Sequence, residues 1–449
     1  MMGESCRFIL DFWPLRFFWS VISGLDFALP GRMGATKTAT WFAEFIGLWI
    51  VLAMSTLAQA APTGAIERGQ YLARAGDCTS CHTADKGRPF AGGRPIVTPF
   101  GTIYSTNLTP DPQTGIGRWS SDDFYRAMHD GIRRDGKHLY PAFPYPWFTR
   151  LTRSDVDAIR AFLATVEPVQ QKNLPTKLVW PLNWRGGMAV WNMLYFHEGE
   201  FREDKTKTAA WNRGAYLVQG LGHCGLCHTP KNALGATEKD RALFGGDAGA
   251  GWFASSLSDD LRDGVGAWST AEIAEYLRTG SNANTAAAGP MTEVVQNSTQ
   301  YLSDSDLTGI ADYLKNGAPP RQSKTMEMTD LGGAALARGE ALYLDNCTAC
   351  HMDDGGGLAH AFPPLKGSAA IQAEVPDTVI HVVLTGAKMA DPPSKPTGLA
   401  MPAFDRKFDD QQLADVVNYI RHAWGNSAPL VTAGEVSEIR KTVAKTTPR

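Results

Sequence analysis

One short pattern occurs three times in the sequence, and it constrains the fold more than any other feature. The pattern is C-x-x-C-H, found at Cys78–His82, Cys224–His228 and Cys347–His351. It is the attachment signature of a c-type haem, because two thiols on one turn reach the vinyl groups and the adjacent imidazole binds the iron. A lone C-x-x-C would also fit a redox dithiol or half of a zinc site. The histidine in all three copies favours haem over these two alternatives.

We therefore expect three covalently bound haem c groups. The attachment cysteines are Cys78, Cys81, Cys224, Cys227, Cys347 and Cys350, and the proximal iron ligands are His82, His228 and His351. Of the seven cysteines only Cys6, near the N-terminus, is left over, so no pair remains for a structural disulfide.

Residues 1–60 are expected to be an N-terminal extension followed by a secretory signal. Translation is expected to start at Met33, and an apolar run from Phe45 to Met54 leads to small residues with cleavage after Ala60. The run is too short for a spanning helix, and an uncleaved anchor is the alternative. Since covalent haem is attached outside the bacterial cytoplasm, the signal and the motifs agree. We expect a periplasmic protein.

The overall charge argues against nucleic acid as a partner. The 43 basic and 46 acidic residues give a formal net charge of −3, and no basic run could follow a phosphate backbone. The chain also lacks a G-x-G-x-x-G fingerprint and a convincing catalytic dyad. Direct oxidation of an organic substrate by this chain is therefore not expected, and we assign no catalytic residue.

The sequence after residue 60 predicts an internal repeat of helical units. Each unit opens with a helical segment containing Arg-Gly, namely Arg68-Gly69, Arg213-Gly214 and Arg338-Gly339. Each closes with an amphipathic helix led by capping residues, namely Ser154-Asp155, Ser303-Asp304 and Asp409-Asp410. The glycine lets the closing helix approach closely, with Phe162, Tyr313 or Tyr419 nearby. This pattern predicts an all-α fold with three tandem class I cytochrome c-like domains, each wrapped around a covalent haem.

The predicted domain boundaries follow from these units. They are 61–175 for domain 1, 176–205 for an aromatic linker, 206–318 for domain 2, 319–330 for a second linker, 331–426 for domain 3 and 427–449 for a polar tail. Domains 1 and 2 share a G-x-G-x-W-S block before a helix that ends in glycine, Gly131 and Gly280 respectively. Domain 3 lacks this block, so domains 1 and 2 are the closer pair.

The first linker is unusually aromatic between Val179 and Phe196. It could pack against the haem domains, or it could form a docking patch for a partner or for the membrane interface, where Trp and Tyr are favoured.

Electron-carrying haems commonly use a methionine as the sixth iron ligand. Met401, followed by a proline, and Met291, preceded by one, are expected in loops before a closing helix and are the expected ligands in units three and two. In unit one Phe143 takes the place of Met291, and phenylalanine does not bind iron.

Three alternatives remain for the first haem. Met128 stands where the other units have Leu277 and Leu384, so it is a candidate ligand, although methionine for leucine is also an ordinary core exchange. His129 or His138 could bind instead. The distal side could also be open.

Several of these segments together resemble a known family. They are the R-G-x-Y-L openings, Thr106–Asp111, the G-I-G-x-W-S block, Leu139–Ala142, Gly289–Met291, Met401–Phe404 and Trp424–Asn426. The resemblance is to the three-haem cytochrome c subunit of membrane-bound, quinone-linked dehydrogenases that oxidise alcohols, gluconate or sorbitol. It covers nearly all of residues 61–430.

The resemblance implies an electron-transfer subunit. Electrons would come from a dehydrogenase subunit containing flavin or pyrroloquinoline quinone and pass to ubiquinone or a terminal oxidase. It also implies peripheral association with the outer face of the inner membrane, held by the partner or by the aromatic linker. Two other functions stay open, namely a freestanding soluble electron shuttle and a catalytic or ligand-binding role for an open first haem.

Overall fold

The computed structural model describes residues 63–317 and 333–446. The predicted start, signal and cleavage site, and the second linker at 319–330, lie outside these residues. We name the three helical units repeat 1, repeat 2 and repeat 3. Repeat 1 contains α1 (Thr63–Ala75), α2 (Cys78–His82), α3 (Ser121–His129), α4 (Tyr145–Phe148) and α5 (Arg153–Leu163). The aromatic linker contains α6 (Gly187–Tyr195).

Repeats 2 and 3 follow the same plan. Repeat 2 contains α7 (Ala209–Tyr216), which continues into a π-helical turn (Leu217–Leu221), then α8 (Gly225–His228), α9 (Thr270–Thr279), α10 (Pro290–Asn297) and α11 (Asp304–Asn316). Repeat 3 contains α12 (Gly333–Asn346), α13 (Thr348–His351), α14 (Ala369–Gln372), α15 (Asp377–Thr385), α16 (Asp410–His422) and α17 (Ala433–Thr446). None of the helices in the two described ranges combines the length and the apolar character needed to cross a bilayer.

The protein is mostly helical, as predicted, but it also contains short antiparallel strands that the all-α prediction missed. They are β1 (Pro95–Thr98), β2 (Gly101–Tyr104), β3 (Lys177–Leu178), β4 (Gly246–Gly249), β5 (Trp252–Ala254), β6 (Ala387–Lys388) and β7 (Ala400–Met401). The linker strand β3 joins the β1–β2 hairpin, with Gly101 opposite Leu178. Gly101 permits this pairing, because its φ is +125° and a Cβ atom there would lie 2.2 Å from the carbonyl oxygen of Lys177.

The opening and closing helices of each repeat cross in close contact, which confirms the role predicted for the glycines. A Cβ atom on Gly69 would lie 1.9 Å from the Ala158 carbonyl oxygen, and one on Gly214 would lie 1.9 Å from that of Gly309. In repeat 3 the corresponding distance from Gly339 to the Asp415 carbonyl oxygen is 2.3 Å. Only glycine, which has no side chain, therefore fits at each of these three crossings.

The caps of the closing helices agree with the prediction in two repeats. Ser303 and Asp409 accept hydrogen bonds from backbone N–H groups in the first turns of α11 and α16. In repeat 1 the cap is Thr152 rather than Ser154, because α5 begins one residue earlier than Ser154 and the Thr152 hydroxyl accepts from the Asp155 N–H.

Reciprocal hydrogen bonds join repeats 1 and 2. Arg68 donates to Asp155 within repeat 1, with an Nε–Oδ1 distance of 2.8 Å, and the Tyr216 hydroxyl of repeat 2 donates to the same carboxylate at 2.6 Å. The converse holds for Asp306 of repeat 2, which accepts from Arg213 of its own repeat at 2.9 Å and from Tyr71 of repeat 1 at 2.6 Å. The motif R-G-x-Y thus ties each repeat to the other.

Repeat 3 has the same hydrogen bond between its own arginine and aspartate, but it lacks the tyrosine that bonds to another repeat. Arg338 donates to Asp415 at 2.7 Å, whereas the position three residues after the arginine is Ala341. Accordingly, repeats 1 and 2 share one hydrophobic core, and repeat 3 has a separate one. Repeat 3 contacts repeat 2 through the Trp252 and His381 rings, which stack 3.9 Å apart.

The stretch predicted to be a polar tail contains a helix of repeat 3. Val436 and Ile439 of α17 are buried in the repeat 3 core, and Asn418 of α16 donates to the carbonyl oxygen of Val431 at 2.8 Å. The few apolar residues among many polar ones gave too weak a periodicity to reveal this helix.

Candidate cofactor sites

Each C-x-x-C-H motif forms one short helical turn directly after an opening helix. The cysteines lie at positions one and four of each motif, and none of the six is paired in a disulfide within the described residues. The two thiols of a motif therefore sit on one turn of backbone, which is the arrangement that thioether attachment requires.

The three motif histidines have the same second partner. Their Nδ1 atoms lie 2.7 Å from the Thr106 carbonyl oxygen for His82, 2.7 Å from that of Ser255 for His228 and 3.0 Å from that of Pro363 for His351. Because a carbonyl only accepts, Nδ1 carries the proton and Nε2 keeps its lone pair.

Burial also lowers the pKa of all three imidazoles, so they are neutral at neutral pH. A neutral histidine whose other nitrogen is fixed by a backbone carbonyl has the orientation and tautomer of an iron ligand.

Four of the motif thiols lack the lowered pKa that is typical of a redox dithiol. Burial raises the pKa of Cys78 and of Cys224 to about 12, and that of Cys81 and of Cys347 to about 11. Reactive C-x-x-C thiols have lowered pKa values instead. The motifs therefore fit an attachment site better than a thioredoxin-like one.

The motifs also do not form zinc sites. Within the described ranges, the only group of three or more His, Cys, Asp or Glu ligand atoms close enough to share an ion is His129, Asp130 and Glu198, which lies outside all three motifs. In none of the three motifs do the two thiols and the imidazole meet that criterion, which requires all ligand atoms within 4.8 Å of one another. The residues present thus fit haem c.

The second motif borders a large apolar cavity of about 780 Å³. Leu226 and Cys227 line it on one side, and Phe100 of repeat 1 and Trp191 of the linker line it on another. Ala373, Val375 and Asp377 of repeat 3 also line it, so the cavity is built from all three repeats and the linker.

The methionines proposed as sixth ligands occupy three different settings. Met401 ends β7 opposite Ala387, and it is half-buried against the repeat 3 core. Met291 was expected in a loop, but it is the second residue of α10, where it packs against a small cluster of Ala287, Val295 and Ala390. Met128 is buried in the core that repeats 1 and 2 share.

Backbone hydrogen bonds support the equivalence of Phe143 and Met291. The Leu139 N–H donates to the Gly131 carbonyl at 2.7 Å, and the Ala287 N–H donates to that of Gly280 at 2.7 Å. Phe143 lies four residues after Leu139, as Met291 lies four after Ala287. Phe143 itself packs edge-on against Phe148, with ring centroids 5.4 Å apart.

The two histidine alternatives for the first haem have other partners. The His129 ring stacks on Tyr125 with centroids 4.9 Å apart, and its Nδ1 lies 2.6 Å from Oδ1 of Asp130. His138 Nδ1 lies 3.4 Å from the side-chain nitrogen of Asn192. Both rings therefore contact groups outside the first motif.

A contact between repeats near the first motif was not foreseen. Arg94 donates to the Ser80 carbonyl inside the motif at 2.7 Å and to Glu293 of α10 at 2.7 Å. Asn297 of the same helix donates to the Ser80 hydroxyl at 2.8 Å. The helix that carries Met291 thus packs against the first motif, and since the partners are about two hundred residues apart, no local pattern signals it.

Comparison with known proteins first identifies the class. The cytochrome c family model matches residues 66–167 and 336–424, which cover most of repeats 1 and 3. Such a match implies covalently bound haem c and a role in electron transfer.

Longer relatives then narrow the class. The chain is 43% identical to the gluconate 2-dehydrogenase cytochrome c subunit of Pantoea cypripedii, over 84% of this chain and 89% of that one. It is 42% identical to the cytochrome c subunit of alcohol dehydrogenase (quinone) of Gluconacetobacter polyoxogenes, over 88% of each chain. It is 36% identical to the fructose dehydrogenase cytochrome subunit of Gluconobacter japonicus, over 84% of this chain and 82% of that one. The chain belongs to the family of cytochrome c subunits of quinone-linked dehydrogenases.

Proposed function

We propose that this chain relays electrons from a dehydrogenase subunit containing flavin or pyrroloquinoline quinone to ubiquinone or another respiratory acceptor. It does so in the periplasm, in peripheral association with the outer face of the inner membrane. The haems supply the one-electron chemistry, and the chain holds them through three tandem domains at 61–175, 206–318 and 331–426, the third of which also includes α17.

The observation that carries the proposal is the common geometry of the three motifs. Repeat 2 lies outside the stretches that the family model matches, yet its His228 has the same Nδ1–carbonyl hydrogen bond as His82 and His351. This supports a third haem on Cys224 and Cys227, with Cys78, Cys81, Cys347 and Cys350 holding the others.

Proximity between motifs supports a relay. Burial is the main cause of the raised pKa of Cys81, and Asp77 contributes next, but Cys227 of the second motif is also close enough to contribute. Direct contacts agree with this, because Asn297 of α10 donates to the Ser80 hydroxyl and Glu293 of α10 accepts from Arg94, which also donates to the Ser80 carbonyl oxygen.

A haem count tests the proposal. The haem-loaded chain is expected to carry three haems by intact mass and by the pyridine haemochrome spectrum, and the double variant Cys224→Ala/Cys227→Ala is expected to carry two. Leu226→Ala, inside the same motif, should keep all three. A wild-type count of two would remove repeat 2 from the relay.

Electron entry is tested with the partner. The dehydrogenase subunit that purifies with this chain should reduce the haems when its substrate is added. Full purification of a haem-loaded chain without any flavin- or quinone-containing subunit would favour the freestanding shuttle instead.

The first haem carries a second candidate function because Phe143 replaces the methionine expected there. If Met128 is the sixth ligand, Met128→Ala should convert one haem to a high-spin spectrum, with Met291 and Met401 ligating the other two. Stoichiometric carbon monoxide uptake at one haem of the reduced wild type would instead favour an open, ligand-binding site.

A further inference from the structure

The outer side of the aromatic linker is a continuous stretch of exposed apolar side chains. Trp180 is 83% exposed, Trp184 68% and Met193 76%, and Val179 and Leu194 are also exposed. We call this surface the linker face. Indole side chains with such a high exposed fraction are uncommon on a surface that contacts only water. We therefore expect a partner to cover the linker face.

The linker face is held in place from behind. The Val179 N–H donates to the Phe100 carbonyl at 3.0 Å, and the Trp191 indole N–H donates to that of Leu234 at 3.1 Å. The Tyr145 hydroxyl donates to Asn192, and Met188 is buried. The outward side chains are therefore presented by a fixed backbone.

Helix α6 shows the same two-sided character. Its inward positions, Met188 and Trp191, are apolar, and so are its outward positions, Val190, Met193 and Leu194. A helix with apolar residues on opposite sides is normally buried on both, whereas the outward side of α6 is exposed.

The charges nearby select an anionic lipid surface as the partner. Residues 168–197 contain Lys172, Lys177 and Arg185 and no Asp or Glu, although the whole chain has 46 acidic residues among 449. Lys172 and Lys177 are exposed. Exposed lysines beside tryptophans match a bilayer interface, where anionic headgroups attract the cations and indoles lie at the headgroup level.

Several exposed side chains at and beside the linker face also line the large apolar cavity. Leu182 lines the cavity and is also exposed, as are Val97 and Leu234 on the neighbouring segments. Cys227 of the second motif lines the same cavity. A bilayer seated here would give a lipid-dissolved molecule a path to the second motif, whereas a protein partner would close the path.

We propose that the linker face docks the protein onto an anionic bilayer, with the exposed cavity-lining side chains turned toward the lipid. Docking rests on the membrane association in the proposed function and assigns it to one surface, and the path through the cavity rests on the quinone acceptor proposed there. The bilayer contacts are made by Trp180, Trp184 and Met193, and Lys172 and Lys177 lie near the headgroups.

Vesicle flotation of the haem-loaded full chain tests the proposal. The wild type should float with vesicles containing phosphatidylglycerol and much less with pure phosphatidylcholine. Trp180→Ala/Trp184→Ala should lower the partition coefficient at least about tenfold, since each indole removes a large apolar area from the lipid contact. Met193→Ser should lower it about threefold.

Leu261 gives a matched control, because it is 75% exposed but lies in repeat 2 outside the linker face. Leu261→Ser should float like the wild type, and the haem spectra of all variants should be unchanged. Equal flotation of the double tryptophan variant and the wild type would refute the proposal, as would no flotation of the wild type.

Two further measurements separate docking from the proposed function and from a protein partner. Haem reduction by the dehydrogenase subunit in detergent tests the relay without any bilayer, so it should survive the tryptophan changes. If those changes abolish binding of the dehydrogenase subunit and leave vesicle binding intact, the linker face is a subunit interface and the proposal is wrong.

Discussion

Replacing Gly69 by alanine tests whether the close crossing of α1 and α5 stabilises repeat 1. A Cβ atom on Gly69 would lie 1.9 Å from the Ala158 carbonyl oxygen and 2.9 Å from Cβ of Phe162. Unstrained contacts between such atoms need about 3.5 Å, so the helices must separate by roughly 1.5 Å. Neither neighbour is the free end of a flexible side chain.

Two opposing effects set the size of the change. Alanine favours a helix over glycine by about 1 kcal/mol. Against this, overpacking costs about 1–3 kcal/mol, and separation of the helices weakens contacts of the buried Leu72 and Ile159, for a further cost of about 2 kcal/mol. We expect a net loss of about 2–4 kcal/mol in the free energy of unfolding.

Gly64 of the same helix provides the control, because a Cβ atom there would have no heavy atom within 4 Å. Gly64→Ala should be neutral or stabilise by up to about 1 kcal/mol. Denaturant unfolding followed by far-UV circular dichroism compares the two variants. The reasoning fails if Gly69→Ala is as stable as Gly64→Ala.

Three further predictions concern buried polar groups. Tyr71→Phe and Tyr216→Phe each remove a donor to a buried carboxylate of the other repeat. Each should therefore lower the free energy of unfolding by about 1.5–3 kcal/mol. The double variant should split the common calorimetric transition of repeats 1 and 2 into two. Arg421, fully buried, donates to three carbonyl oxygens, so Arg421→Met should lower the stability of repeat 3 by about 3–5 kcal/mol in urea unfolding. Burial raises the pKa of Asp306, but hydrogen bonds from Arg213 and Tyr71 outweigh it and hold the pKa below the ordinary 3.8. Its contribution is therefore present above about pH 4 and lost below it in acid titrations of stability.

Each of these three predictions has a control variant or an outcome that would contradict it. Tyr301 is exposed and stacks on Arg74 through its ring, which phenylalanine preserves, so Tyr301→Phe should leave the transition whole. Asp306→Asn should remove part of the acid dependence, and an unchanged acid profile would contradict the assignment. An Arg421→Met variant that unfolds repeats 1 and 2 earlier, rather than repeat 3, would contradict the separate core.

Local patterns predicted much of the fold. The spacing of cysteines and histidine, the Arg-Gly openings and the amphipathic closing stretches each depend on a few neighbouring residues, and the corresponding helices are present. The strands were missed because they are two to four residues long and form only by pairing with distant segments. The helix at Ala433–Thr446 was missed because only a few of its residues face the core.

The sequence by itself determined the chemistry of the three motifs, because attachment needs two thiols and an imidazole at fixed short spacing. Only the tertiary structure decided how the repeats associate. Tyr71 reaches the carboxylate of Asp306, and Tyr216 reaches that of Asp155, across 235 and 61 positions of sequence. It also decided that Trp180 and Trp184 face outward, since an aromatic run has the same sequence pattern whether it is buried or exposed. Both outcomes depend on long-range packing, which sets burial and pairing and leaves no local pattern to read.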